Sequence, residues 1–169
     1  RSFQQPTNWE AIKANGRKLG GDQKMIEGLL AELGGPFGDP DFFPYWRAVA
    51  EDGKQPAFVR NRAMEFLING KDPGLASLAA DLLHVESMQE AAIKALRQHP
   101  GKPTAEALVK HLAGFPLKLR NDAVNLLASR DDMALVLLQA VDRKMVSSSL
   151  VSMVLLHQFD RFKNEEIND

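Results

Sequence analysis

Two segments of the chain share one pattern: Leu119-Arg120-Asn121-Asp122-Ala123-Val124-Asn125-Leu126-Leu127 and, 60 positions upstream, Val59-Arg60-Asn61-Arg62-Ala63-Met64-Glu65-Phe66-Leu67. Each contains an apolar residue, an Arg-Asn pair, Ala, a second apolar residue and a final Leu. Between them, Met88-Gln89-Glu90-Ala91-Ala92-Ile93-Lys94-Ala95-Leu96 keeps the apolar positions without the Arg-Asn pair. Self-similarity at a fixed period is the sequence signature of a repeat protein.

The repeating unit is a pair of helices, which we name helix A and helix B. Helix A carries a small residue, an apolar residue and a Leu at helical spacing. These positions are Ala63, Met64 and Leu67; Ala92, Ile93 and Leu96; Ala123, Val124 and Leu127; and Ser152, Met153 and Leu156. Helix B repeats as Leu78, Ala79 and Leu82; Leu108, Val109 and Leu112; and Leu137, Leu138 and Val141. We call these residues the apolar frame, and its period is about 30 residues.

The frame predicts an all-α fold. Loops of a few residues force neighbouring helices into antiparallel hairpins, and hairpins at a fixed period stack because no single pair buries its own apolar face. We therefore expect a right-handed α-α superhelix of HEAT-like repeats over residues 56–169, truncated at its C-terminal end. Residues 1–55 are predicted to form irregular helices that cap the repeats within one structural domain. Asp22 is predicted to cap a helix that ends at Gly34-Gly35-Pro36.

Composition narrows the classes of function. The 169 residues include 21 basic and 22 acidic side chains, so no net charge draws in polyanions and nucleic acid is an unlikely partner. The absence of cysteine excludes disulfides, thiolate nucleophiles, Cys-ligated zinc and covalently attached haem. No stretch is long and apolar enough to predict insertion into a membrane.

A narrower resemblance is carried by Ala123-Val124-Asn125-Leu126-Leu127-Ala128-Ser129-Arg130, by residues 133–141 and by the serine-rich turn at 147–149. These segments resemble the HEAT-like region of large bacterial exported proteins. Those proteins combine a sugar-dehydrogenase-like propeller, helical repeats and a C-terminal cytochrome-c-like haem-binding domain. The resemblance implies that this chain is a segment of such a protein and is exported to the periplasm. Because the chain has no Cys-x-x-Cys-His and no propeller sequence, no redox residue or cofactor is carried over.

The candidate interaction surface is formed by Arg60, Asn61, Arg120 and Asn121. Pairs that recur at one position in alternate units would project in register, as ligand-reading residues do on a repeat surface. The structural alternative is that each Arg bridges to a neighbouring helix or covers apolar surface with its stem, while Asn satisfies a backbone end. The sequence favours the structural alternative, since structural residues also recur in repeats.

Other constellations give no catalytic or metal site. The four histidines, His84, His99, His111 and His157, lack the i, i+3 or i, i+4 spacing of helical metal ligands. The aromatic residues Phe42, Phe43, Tyr45 and Trp46 could line a ligand groove, but a cap that closes the end of the repeats needs the same side chains. Core packing is the favoured interpretation.

Three functions remain as hypotheses. The first is a non-enzymatic scaffold that holds the domains of one long protein together or binds a protein partner. The second is a nucleic-acid-binding module whose cations come from helix A or its edge, namely Arg60, Arg62, Lys94, Arg97, Lys118 and Arg120. The third is a helical-repeat enzyme of the glycosylase type, which would need an acidic residue beside Trp46 or Tyr45 in a groove. The sequence assigns no oligomeric state.

Overall fold

The computed structural model describes residues 4–150, and all the regular elements in that range are helices. No strand occurs there, which confirms the all-α prediction. The α-helices are α1 (Trp9–Arg17), α2 (Gln23–Gly34), α3 (Phe43–Glu51), α4 (Ala57–Gly70), α5 (Leu75–Leu82), α6 (Gln89–Leu96), α7 (Lys102–His111), α8 (Leu117–Leu127) and α9 (Asp131–Asp142). The fourth predicted helix A, with Ser152, Met153 and Leu156, lies outside the described residues, as does His157.

The described residues divide after Leu75 into two compact units. The first contains α1 to α4, and the second contains α6 to α9. Helix α5 begins at Leu75, the last residue of the first unit. Helix α4 packs on α3 and lies in the first unit. The predicted repeat region began at residue 56, so its first helix A is grouped here with the helices that were expected to form the cap.

Local chemistry sets the ends of α2. The Asp22 carboxylate accepts hydrogen bonds from the backbone N–H groups of Lys24 at 2.9 Å and Met25 at 3.3 Å, which confirms the predicted cap. The helix ends at Gly34, as predicted. Short 3-10 helices, Gly35–Phe37 and Pro40–Phe42, then lead into α3.

Two glycines let the loop after α2 approach α4. Gly38 has a φ of 69°, a left-handed conformation that glycine adopts without a steric penalty. A Cβ on Gly38 would lie 2.5 Å from the Cα of Gly70, at the end of α4. Any larger residue at position 38 would therefore separate this loop from α4.

The apolar frame of α6 and α8 is buried in the second unit. All six frame residues of α6 and α8 are at most 4% exposed, and α6 packs directly on α8. Helix α7 packs on α9 in the same manner. Helices two apart along the chain are therefore in contact in this unit.

Candidate functional site

Arg60 is built into the fold of the first unit. Its side chain is buried, at 6% exposed, and its Nε donates a hydrogen bond to the carbonyl of Ala50 at 2.8 Å. Ala50 lies in the last turn of α3, where carbonyls lack partners within the helix and a cation is favoured. Arg60 thus ties α4 to the end of α3 and leaves almost no surface for a partner.

Arg120 uses its guanidinium in a similar way in the second unit. One of its terminal nitrogens donates to the carbonyl of Phe115 at 2.9 Å and to that of Ala113 at 3.3 Å. Both carbonyls belong to the segment that ends the preceding helical stretch, just before α8 begins. The two arginines therefore share one chemistry, a cation placed on backbone carbonyls that the preceding helix leaves open.

The two asparagines differ in exposure. Asn61 is half-buried and donates through Nδ2 to the carbonyl of Ala57 at 2.9 Å, within α4. Asn121 is exposed, whereas Arg120 is half-buried. These placements support the structural alternative for both arginines. An interaction role for the Arg-Asn pairs stays a prediction, and of the four residues Asn121 has the most accessible side chain.

Two other cations of helix A are also engaged. Arg62 forms an ion pair with Glu32 at 2.5 Å, and Lys118 lies 3.4 Å from Glu90. Lys94 and Arg97 remain as exposed cations of the nucleic-acid hypothesis. Because most of the six proposed residues contact protein carbonyls or carboxylates, helix A offers little free positive charge to a phosphate backbone.

An open apolar groove lies between α1 and α2. Its volume is about 440 Å³, and its walls are formed by Ile12, Asn15, Gly16, Leu19, Ile26, Leu29, Leu30 and Leu33. Leu19, Leu29 and Leu33, together with the adjacent Met25, are between 58% and 61% exposed. We call this feature the α1–α2 groove. Contiguous exposed apolar side chains of this kind mark interaction sites on soluble proteins.

A smaller groove with cationic walls lies between α7 and α9. Its volume is about 290 Å³, and it is lined by Lys102, Glu106, Val109, Lys110, Val136, Gln139, Ala140, Arg143 and Met145. Lys102 is 4.0 Å from Glu106, which partly offsets its charge. Lys110 and Arg143 form no ion pair with the carboxylates of residues 4–150. This α7–α9 groove is therefore weakly electropositive.

A buried polar cluster fixes α1 to the loop before α3. Lys13 is only 2% exposed, and its Nζ lies 2.5 Å from Asp41, 2.9 Å from Glu10 and 3.0 Å from Asp39. Trp9 donates through Nε1 to Asp39 at 2.5 Å. A buried cation surrounded by carboxylates is a structural ion pair network. Two of its partners, Asp39 and Asp41, lie more than 25 residues from Lys13 in the sequence, so helical periodicity carries no signal for them.

Opposing effects set the pKa values in this cluster. Burial alone would lower the pKa of Lys13, but hydrogen bonds to Asp41, Glu10 and Asp39 raise it well above its usual range. Burial would raise the pKa of the Asp39 carboxyl, but hydrogen bonds from Trp9, the Asp41 amide and Lys13 hold it below its usual range. Both groups are therefore charged at neutral pH.

The remaining candidates lie in structural positions. Phe42, Phe43 and Trp46 are buried in the core of the first unit, which confirms core packing for these three. Tyr45 is half-buried with its ring edge-on to Trp46. Within residues 4–150 no group of three His, Asp or Glu side chains is arranged to hold a metal ion. Burial, followed by the charge of Lys110, lowers the pKa of His111.

Comparison with protein-family models, with curated proteins and with solved structures found no match to this chain. Among the helices of residues 4–150, none combines the length and apolar character needed to cross a membrane.

Proposed function

We propose that the chain is a non-enzymatic helical-repeat module that binds a protein partner through the α1–α2 groove. The observation that carries this proposal is the exposure of Leu19, Met25, Leu29 and Leu33 along one face of the hairpin. An apolar side chain left in water costs roughly 1.5 to 3 kcal/mol relative to a buried one. A partner that covers these side chains would recover much of that free energy.

The HEAT-like solenoid belongs to the same proposal. Its support is the frame at a period of about 30 residues and the packing of α6 on α8 and of α7 on α9. Repeats of this kind present extended surfaces to other proteins or hold neighbouring domains apart. The resemblance to large bacterial exported proteins implies one of two partners. The partner is either another domain of such a protein, with its propeller and haem-binding regions, or a separate protein in the periplasm.

Photo-crosslinking tests the proposed function. Benzoylphenylalanine placed at Leu29 or Leu33 in the source cells should give one discrete protein adduct. Ala14 provides a matched control, because it is exposed on the same hairpin but does not line the groove. Absence of an adduct at both leucines, or an equal adduct at Ala14, would contradict the proposal.

Nucleic-acid binding is a second candidate function, and the α7–α9 groove is the observation that favours it. Lys110 and Arg143 are the two cations there that could contact phosphate. This candidate is supported if a duplex binds at low salt and its affinity falls steeply as salt rises. The double variant Lys110→Glu with Arg143→Glu should then abolish binding. No binding of duplex at low salt would remove this candidate.

A further inference from the structure

The size of the α1–α2 groove indicates what covers it. Its lining residues run from Ile12 in α1 to Leu19 in the connection that follows, and from Ile26 to Leu33 in α2. The α2 wall spans about two helical turns, or roughly 10 Å. The helices are joined by residues 18–22 and pack on each other, so the groove lies along a helical hairpin.

This length is short for an interface between two folded copies of the chain. A stable protein–protein interface covers about 800 Å² on each partner, with roughly 20 to 30 residues a side. A single amphipathic helix needs less surface, because it places apolar side chains at i, i+3 or i+4, and i+7 into a groove of this form. The groove therefore fits one helix better than a second copy.

The charges of the hairpin indicate the polarity of that helix. Two of its four carboxylates are paired with cations of the same unit, Glu27 with Arg17 and Glu32 with Arg62. A third, Glu10, shares Lys13 with Asp39 and Asp41, so net negative charge remains at the start of α1. The fourth, Asp22, accepts backbone hydrogen bonds as the cap of α2.

The cations left over lie at one end of the hairpin. Lys18 and Lys24 are exposed and form no ion pair with other groups of residues 4–150. Both lie at or next to the turn of residues 18–22, where these two cations outnumber the one carboxylate, Asp22, so this end of the groove carries a net positive charge. An incoming carboxylate would be favoured there, and so would the negative end of a helix dipole.

We infer that the α1–α2 groove binds a single amphipathic helix whose apolar face fills it and whose acidic, C-terminal end lies over Lys18 and Lys24. This inference rests on the proposed function and specifies the partner's binding element. Leu29 is the central contact of the apolar face, and Lys18 sets the direction of the bound helix.

The test is fluorescence anisotropy with the full chain and a labelled, helix-stabilised peptide of about 14 residues. The peptide carries Leu at i, i+4 and i+7 and Glu in its last turn. We expect saturable binding that Leu29→Glu weakens by at least about tenfold, because a charge would enter the apolar channel. The matched control Ala14→Glu should leave the affinity unchanged.

A charge reversal tests the direction of the helix. Lys18→Glu should lower the affinity for the acidic peptide by a few-fold at low salt. The same variant should bind a peptide with Lys in its last turn more tightly than the native chain does. Equal affinity of the chain for peptides with Glu in the first or the last turn would overturn the assigned direction.

Other outcomes would overturn the inference itself. The inference is overturned if no apolar peptide binds, or if Leu29→Glu leaves peptide binding unchanged. It is also overturned if sedimentation shows a dimer of the chain that Leu29→Glu dissociates. Binding to anionic lipid vesicles in place of the peptide would overturn it as well. If Leu29 still forms a protein adduct in cells while no peptide binds, the proposed interaction module is retained and the proposed single-helix partner is rejected. If neither adduct nor binding is seen, both proposals fail.

Discussion

The helices α6 to α9 and the hairpin of α1 and α2 carry similar apolar stripes that differ in their exposure to solvent. In the second unit the frame residues of α6 are covered by α8, so that Ala92, Ile93 and Leu96 are at most 2% exposed. In α2 the stripe of Met25, Leu29 and Leu33 lies open to solvent. Helical periodicity alone therefore does not distinguish a stripe that stabilises the fold from one that is available to a partner.

The two regions also differ in what holds them in place. The second unit is held by its apolar frame, whereas α1 is attached to its unit through Trp9, Lys13 and Asp39. A polar anchor holds the inner face of α1, while Leu19, Met25, Leu29 and Leu33 of the hairpin face solvent.

Removing the cation from the polar anchor should cause the largest loss of stability. Lys13→Met keeps most of the buried stem but leaves Asp39, which is 5% exposed, without its ion pair. We expect the free energy of unfolding to fall by about 3 kcal/mol, as when one partner of a buried ion pair is removed. Urea denaturation measures the change. Lys18→Met, at an exposed lysine near the end of the same helix, should change stability by less than about 0.5 kcal/mol.

Overpacking the frame should have the next largest effect. Ala123 is fully buried in α8, at 0% exposed, at the position where the frame predicts a close helix crossing. Ala123→Leu should therefore destabilise the protein by about 1 to 3 kcal/mol, and Ala92→Leu should do the same in α6. Thermal unfolding is the measurement, with Ala14→Leu at an exposed helical site as the control. Unchanged melting temperatures for both frame variants would show that the register is wrong.

The sequence predicted the part of the fold that depends on local periodicity. The frame residues of α6 and α8 were identifiable because buried apolar side chains recur at helical spacing, and Asp22 was identifiable because a helix cap bonds to residues two or three positions away. The roles of Arg60 and Arg120 required knowing which carbonyls the preceding helices bring to them. The Lys13 cluster joins residues nearly 30 positions apart, and no sequence spacing encodes it.

The open stripe was partly visible in the sequence. Met25, Leu29 and Leu33 follow the i, i+4, i+8 pattern of a helix face, and the sequence assigned them to a helix correctly. Which face of that helix meets the core depends on Trp9 and Lys13 of α1. The exposure of the stripe therefore appears only in three dimensions.

The two arginines should differ in their contributions to stability, with Arg60 comparable to a frame residue and Arg120 below it. Arg60→Met removes a buried hydrogen bond from a charged donor to the Ala50 carbonyl and should cost about 1.5 to 3 kcal/mol. Arg120→Met should cost about 1 kcal/mol, because Arg120 is half-buried and water can replace it. Chemical denaturation of both variants checks the order. A larger effect for Arg120, or a loss of partner adduct in either stable variant, would return the Arg-Asn pairs to a binding role.

The polar anchor should also give stability a specific dependence on pH. The folded-state pKa of Asp39 is lowered, so its contribution is present above its unfolded pKa near 4 and is lost as pH falls below that value. The pKa of Lys13 is raised, so its contribution is complete below about pH 10 and is lost as pH rises further. Melting temperatures measured from pH 2 to 11 should fall at both ends of this range. In Asp39→Asn the fall in melting temperature at acid pH should be smaller, and an unchanged fall would contradict the assignment.

The smallest expected effect on stability belongs to the open stripe, because Leu29 is already exposed. Leu29→Gln should leave the free energy of unfolding within about 0.5 kcal/mol of the native chain. Circular dichroism during urea denaturation measures this. A loss of more than about 2 kcal/mol would mean that the stripe is part of the core.

The photo-crosslink at Leu33 in native and Leu29→Gln backgrounds tests the central claim most directly. The open face of α1 and α2 predicts one discrete protein adduct in the native background and a sharply reduced yield with Leu29→Gln, at equal protein level and stability. An adduct of undiminished yield in the Leu29→Gln background, or no adduct in either, would contradict the claim that this face binds a partner.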